Sequence, residues 1–327
     1  MDDADAIRPG PPDADGADPA EAEPPPREWP EHLQPGRRLE VAPGVGRIIA
    51  PNPGYMTGPG TNTYLIGDDR IALVDPGPDN DQHFTTLLEA VGDRLAWILV
   101  THTHIDHSPL AARLREATGA EVVAFGPAPT FAGETLDTHD KEFAPDRLLV
   151  DGERVDTGDA RIEAVYTPGH ASNHLCFEIA GTGLLFSGDH VMSGSTVVIA
   201  PPDGDMTVYF ESLDKVRARD LRRIAPGHGD MIDDPGAVLD DYLIHRRERE
   251  AQVLAGVLAA PPEGTTTEAL VAQLYAEVPK HLHKVARFTV WAHLRKLAAD
   301  GRVTSAELDD IAAPWTPVAE TAGAGSR

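Results

Sequence analysis

The sequence predicts an α/β layered fold followed by a small helical domain, on three observations. From about Leu39 to Arg246, short apolar runs alternate with turn signals and helical patterns, as expected of sheets covered by helices. Pro261-Pro262-Glu263-Gly264 then breaks the chain, and helical periodicity dominates the remainder. His- and Asp-bearing motifs recur where apolar runs end, which puts them on loops braced by strands.

Residues 1–38 precede the fold. Acidic side chains from Asp2 to Glu31 alternate there with Pro, Gly and Ala, and large apolar residues are nearly absent. Such a segment buries too little surface to offset its ordering entropy, and it reads as a disordered, acidic, Pro-rich tail. The alternative for it is an acidic interaction arm. Asp81 to Val91 puts Phe84, Leu87, Leu88 and Val91 on one helix face, and Leu95 to Val100 is a short buried strand. Ser108-Pro109 caps the next helix, in which Leu110, Leu114 and Ala117 recur before Gly119 stops it. Leu175 to Ile179 reads as a strand with Cys176 a packed thiol, and Tyr209, Phe210, Leu213 and Val216 mark a helix. Tyr242 to Leu258 is a connecting helix, Thr267 to Val271 opens a short one ended by Pro279, and Leu282 to Ala299 is long, with Val285, Phe288, Leu294 and Leu297 apolar. Asp300-Gly301-Arg302-Val303 turns into a wing. Three helices and a small hairpin make a winged helix over 247–311, after the domain at 39–246 and before a loose tail at 312–327.

The chemistry is concentrated in Thr101-His102-Thr103-His104-Ile105-Asp106-His107, joined by Thr167-Pro168-Gly169-His170, Ser187-Gly188-Asp189-His190 and Ala225-Pro226-Gly227-His228-Gly229. Together they offer seven ligands, enough for two divalent metals sharing one bridging group. Zinc takes imidazole nitrogen and carboxylate oxygen, and catalytic sites keep a position open for water. In the first loop, His102 and His104 can serve one metal while Asp106 and His107 serve its neighbour. With 14 histidines in 327 residues, a spurious HxHxDH arises in roughly one chain in several hundred. The later ligands each follow a β-like run, at Ile162–Tyr166, Leu184–Phe186 and Leu221–Ile224, and that repeated layout favours metal binding over a solvated His-rich loop.

THTHIDH, TPGH, SGDH and APGHG, in this order, resemble the metallo-β-lactamase fold. The resemblance implies an αββα sandwich whose ligand loops gather at one edge. It implies that His102, His104 and His170 hold one metal, that Asp106, His107 and His228 hold the other, and that Asp189 bridges them. Asp75, in Ile71-Ala72-Leu73-Val74-Asp75-Pro76-Gly77, resembles the family's supporting aspartate, expected to orient ligand histidines; the alternative is a turn cap before Pro76. His at position 104, where the di-iron oxygen-reducing branch carries Glu, disfavours that chemistry. From about Leu39 to Val303 the chain is similar to the β-lactamase-like protein 2 branch, whose members include a single-strand endoribonuclease and thioesterases and whose metal domain carries a winged helix.

The mechanism expected is hydrolysis by a metal-bridging hydroxide, zinc lowering the pKa of the shared water to about 7, with Asp106 and Asp189 as the catalytic carboxylates. Two Zn2+ per chain are expected, and iron and manganese also suit the ligands. Asn62, His190 and Thr196 are the candidate substrate contacts, and Pro202-Asp203-Gly204-Asp205 lies in the stretch where substrate choice is expected. The first substrate reading is single-stranded RNA, resting on the branch and on Lys284, Arg287, Trp291, Arg295 and Lys296 of the long helix. Against it stands a net charge of −25, which repels polyanions, and ten basic against ten acidic side chains from Arg246 onward. The alternative is a thioester or other acyl hydrolase, hydroxyacylglutathione-like, on a small acyl substrate. A non-catalytic nucleic-acid-binding protein fits poorly, since all seven ligand positions are filled. No apolar run reaches about 18 residues, and the N-terminus has neither a basic, then apolar, signal pattern nor an Arg-rich transit composition. A cytoplasmic enzyme with no membrane role is expected, with the C-terminal domain offering a homodimer contact.

Overall fold

The computed structural model describes residues 28–318, except 133 and 137. Two sheets pack face to face with helices on both outer surfaces. In the first, β1 (Leu39–Ala42), β2 (Val45–Ile49), β3 (Asn62–Ile66), β4 (Ile71–Val74), β5 (Leu95–Leu99), β6 (Glu121–Ala124) and β7 (Arg147–Leu148) lie in sequence order. β1 to β4 pair antiparallel and β4 to β7 parallel. The second runs β12 (Arg223–Pro226), β11 (Leu184–Gly188), β10 (Leu175–Ile179), β9 (Arg161–Tyr166), β8 (Arg154–Asp156), with only β11 and β12 parallel.

The two-residue period of a strand assigns each side chain to a layer. Tyr64 and Ile66 of β3 enter the inter-sheet core with Phe177 and Phe186, whereas Leu65 between them faces outward. α1 (Asp81–Val91) and α2 (Leu110–Thr118) cover that outer face, burying Leu87, Val91, Leu110 and Leu114 against it. α3 (Met206–Arg217) and the first half of α4 (Pro235–Leu258) cover the other sheet through Tyr209, Leu213, Leu239 and Tyr242. At about 25 cal/mol per Å2 of apolar surface removed from water, these three layers dominate stability. α5 (Thr267–Leu274), α6 (His283–Ala299) and a hairpin of β13 (Val303–Thr304) and β14 (Thr316–Pro317) form a separate core around Phe288, Trp291, Leu294 and Trp315. No helix among the described residues is long and apolar enough to cross a membrane.

Four expectations need correction. The Pro-rich tail is anchored to the fold within residues 28–38: Glu31–Leu33 forms a 3-10 turn, Leu33 is buried, and buried Arg47 donates to the His32 carbonyl at 2.8 Å. The part of that tail at 1–27 lies outside the described residues. Ser108 does not cap α2; its hydroxyl donates to Asp140 at 3.2 Å, and Pro109 occupies the cap position without a side-chain bond. The connecting helix starts at Pro235, capped by Asp234, which accepts from the Ala237 amide at 3.0 Å. Pro at the first helical position costs no hydrogen bond there, a start signal that outweighs the weak apolar pattern of the first turns. A boundary at 246 therefore falls inside α4. The tail from 312 is not loose up to 318, because Trp315 is fully buried and its amide and carbonyl pair with Thr265.

Candidate metal centre

The ligand loops leave the carboxyl ends of β5, β9, β11 and β12 at one edge of the sandwich. His102 Nε2 lies 2.9 Å from His104 Nδ1, which lies 3.1 Å from His170 Nε2. His107 Nε2 lies 3.3 Å from His228 Nε2. Asp189 stands between the groups: Oδ1 is 3.5 and 3.4 Å from His107 and His228, while Oδ2 is 3.8 Å from His170. Asp106 Oδ2 is 3.2 Å from His228 Nε2. All seven sequence-predicted ligands therefore converge, in overlapping triads of His102–His104–His170, His102–His107–Asp189 and Asp106–His107–His228.

These residues fit divalent cations. Tetrahedral Zn–N bonds of 2.0–2.1 Å put ligand nitrogens about 3.3 Å apart, close to the separations here. The nitrogens facing away are committed: His107 Nδ1 donates to Asp75 at 2.8 Å, His170 Nδ1 to the Val198 carbonyl at 2.7 Å, and His228 Nδ1 to the Gly60 carbonyl at 3.3 Å. His102 Nδ1 donates to the Thr101 hydroxyl at 3.0 Å. Such bonds fix the tautomer and aim the other lone pair at a metal. Burial, then the surrounding imidazoles, push His102 and His104 well below the usual histidine range, so both are neutral donors. Burial opposes charge on His107 and His228 too, but Asp106 and Asp189 outweigh it; His107 rises well above its ordinary value and His228 to about 9. Among the described residues only imidazoles pair with Asp75, Asp106 and Asp189, and this excess of buried negative charge calls for cations.

The backbone is shaped to allow the approach. Gly188 takes φ +47° at the end of β11, where a Cβ would sit 2.6 Å from Thr101 Oγ1. At Gly227 a Cβ would meet Asp189 Oδ1 at 2.6 Å and His107 Cε1 at 2.9 Å. Glycine at both positions lets the Asp189 and His228 loops close on the first ligand segment. Asp75 is the one non-glycine residue with positive φ among the described residues, at +53°. Its carboxylate accepts from the Thr101 amide and hydroxyl at 2.8 Å each besides His107, which holds the left-handed turn in place. It thus braces the ligand segment rather than only capping a turn.

Two of the three expected substrate contacts are placed differently. Asn62 is fully buried, and its amide donates to the Pro226 and Gly229 carbonyls at 2.8 and 3.0 Å; it buttresses the His228 loop. His190 is also fully buried, its ring against Tyr209 at 5.3 Å. Burial lowers it to about 3, so it is neutral. Thr196 is half-buried on the loop after Asp189. In the 202–205 stretch, Asp205 caps α3, and Asp203 accepts from the Ser172 amide at 3.0 Å and pairs with His139 at 3.1 Å.

Two histidines outside the predicted ligand set matter here. The His139 ring packs 4.5 Å from His104, and its Nδ1 lies 2.9 Å from the Thr103 hydroxyl. His174 is buried 5.1 Å from the His102 ring, and its Nε2 accepts from the Asp189 amide at 3.2 Å. Nothing in the spacing around His139 marks it; His174, four residues after His170, carried a usable signal. The basic face of α6 is mostly neutralised. Trp291 is buried, Arg295 pairs with Asp309 at 2.6 Å, Lys296 with Asp300 at 2.7 Å and Glu250 at 3.2 Å, and Arg287 with Glu134 at 3.6 Å.

Residues 56–228 match the metallo-β-lactamase superfamily, and residues 266–315 match the β-lactamase associated winged helix domain. The chain is similar to a β-lactamase-like protein 2 homolog of Drosophila melanogaster, 33% identical over 271 residues that cover 79% of this chain and 89% of that one. An atrochrysone carboxyl ACP thioesterase of Passalora fulva is 29% identical over 281 residues, covering 81% and 78% respectively. Among solved structures, a metallo-β-lactamase family protein of Thermus thermophilus superposes with a TM-score of 0.69 at 22% identity, over 85% of this chain and all of that one. At that identity the likeness bears on the fold alone.

Proposed function

This chain belongs to the metallo-β-lactamase superfamily, and from that premise we propose that it is a two-cation hydrolase of acyl thioesters. His102, His104 and His170 hold one cation; Asp106, His107 and His228 hold the other; Asp189 reaches both. Zinc suits this imidazole and carboxylate set, and iron and manganese are compatible with it. Bound there, such cations supply Lewis acidity and acidify water to about pKa 7.

The chain's own residues do the rest. Asp189 spans the two ligand groups and fixes their separation. Asp106, a quarter exposed, is the accessible carboxylate of the set and takes the proton leaving the reacting centre. Its affinity for protons is held below the usual range: burial opposes ionisation, but His107 and His228 outweigh it. Asp75 keeps His107 aimed. No protein nucleophile is required.

One observation carries the acyl reading over the phosphodiester one. The helix face that would track an RNA backbone has its aromatic buried and its Arg287, Arg295 and Lys296 already engaged with acids or carbonyls. The net charge of −25 adds a long-range barrier to a polyanion, screened only beyond about 10 Å. The thioesterase named among the relatives supports the same reading. The test offers metal-loaded protein a panel of acyl thioesters and, separately, labelled single-stranded RNA. Thioester turnover that vanishes in His104→Ala is expected. RNA cleavage without thioester turnover would overturn the proposal.

A further inference from the structure

In a chain with 53 acidic side chains, none lies between Glu277 and Asp300. That stretch carries Lys280, His281, His283, Lys284, Arg287, His293, Arg295 and Lys296. Arg287, Arg295 and Lys296 are paired as described above. Lys280, in the 3-10 turn before α6, and Lys284, in its first turn, are exposed and have no acidic partner among the described residues. The first turn of α6 contains no acid either, so the positive end of its dipole adds to theirs.

Two contacts fix where this cationic end lies. The His281 ring packs 5.1 Å from Tyr55. Tyr55 belongs to the loop before β3, whose Gly60 carbonyl accepts from the metal ligand His228. Arg287 pairs with Glu134, on the loop that carries His139 against the metal ligand His104 and whose Thr138 carbonyl accepts from the Ile105 amide at 2.8 Å. The start of α6 is thus tied to both loops that back the metal ligands. Large apolar side chains face solvent beside them: Tyr55 is 55% and Met56 51% exposed on the loop before β3, and Ile105 is 55% exposed on the ligand segment itself. The rim of the centre therefore has an apolar side and a cationic side, contributed by different domains.

We propose that Lys280 and Lys284 bind the phosphate of a phosphopantetheine arm whose acyl thioester enters the metal centre, with Tyr55, Met56 and Ile105 meeting the acyl group. The inference rests on the acyl thioester reading, and it assigns the winged helix a part in substrate binding. The arm has two sources, coenzyme A or a carrier protein, which share this chemistry. Two free lysines beside an apolar rim match one phosphate and an acyl chain. A longer polyanion needs more neutralised phosphates than this end of the helix supplies.

The test compares full-length wild type with the Lys280→Gln/Lys284→Gln variant on three thioesters of one acyl group: coenzyme A, a phosphopantetheinylated carrier protein, and N-acetylcysteamine, which has no phosphate. KM for the phosphate-bearing substrates is expected to rise about tenfold with kcat retained, the scale of one lost bond to a charged group, while KM for the N-acetylcysteamine ester stays put. A rise confined to one phosphate-bearing substrate identifies its source. Equal rises for all three esters, or none, would overturn the assignment. Titration of free 4′-phosphopantetheine into both proteins keeps the question separate from turnover: weaker binding by the variant is expected even if no ester is cleaved. Wild-type affinity in the variant, or loss of single-stranded RNA binding in its place, would also overturn it. Failure of wild type to hydrolyse any thioester would sink the functional reading instead.

Discussion

The two sheets supply ligands in different ways. The first delivers four of the seven on one segment, His102 to His107, held by a buried carboxylate: Asp75 makes three 2.8 Å bonds to Thr101 and His107. The second delivers His170, Asp189 and His228 singly, on three loops, and its imidazoles are held by neutral backbone carbonyls at Val198 and Gly60. Those carbonyls need fixing in turn. Arg246 of α4, fully buried, donates to the Val197 carbonyl, and Tyr242 donates to the Ser195 carbonyl at 2.6 Å and accepts from the Met192 amide at 2.9 Å. A charged brace acts locally, whereas a backbone brace is only as firm as the helix behind it.

Three changes would break or sharpen that contrast. Asp189→Ala removes the carboxylate proposed to reach both groups, and metal and activity are expected to go together, with kcat/KM down at least about 1,000-fold, the scale of one lost electrostatic contact to the reacting centre; two metals per chain in that variant, by elemental analysis, would contradict the bridging role. Asp75→Ala should weaken metal binding about 10–100-fold, the usual scale for an outer-shell partner, with the loss felt first by the His107 site. Arg246→Met should act on the other side and more mildly, about threefold to tenfold in affinity, and cobalt-substituted protein should show an altered His170 site spectrum while the Asp75 side keeps its own. An Arg246→Met spectrum identical to wild type would deny α4 its bracing role.

The smallest effect concerns protons. Burial lowers His83 and His293 to about 4 each, below the ordinary value of about 6.5. The unfolded chain takes up protons there that the folded chain refuses, so stability is full above about pH 6.5, declines as pH falls, and levels off below about 4. Denaturant midpoints of metal-free protein at pH 7 and 4.5 should therefore differ by less in His83→Gln and in His293→Gln than in wild type. Unchanged differences would show that neither ring resists protonation.

The contrast also explains what could be read without coordinates. HxHxDH is legible because its ligands and their spacing lie on one loop, and the αββα layers follow from runs such as Leu95–Leu99 and Leu184–Gly188. His170, Asp189 and His228 were legible through the repeated strand-then-ligand layout, since a Pro-Gly turn alone carries histidines for many reasons, whereas their division between two metals needed the family resemblance. Asn62 and His190 were misread because sequence adjacency to a ligand loop does not say which face a side chain takes; a one-residue step in a strand reverses it. Of the two readings open for the basic face of the long helix, burial of Trp291 favours the one without base stacking, with Arg295 closing over its ring at 5.4 Å. His139 was invisible, as it reaches His104 through a lone bridge between distant loops.

α4 joins the two domains without a hinge. Its 24 residues rise about 36 Å as one rod, with Tyr242 and Arg246 bound to the loop after Asp189 and Val253 and Val257 sunk in the winged-helix core. A pull on the C-terminal domain is thereby transmitted to the ligand loop as leverage. Trimming the protein to a minimal catalytic fragment would strip that lever of its anchor, which makes the appended domain part of the scaffold behind the centre.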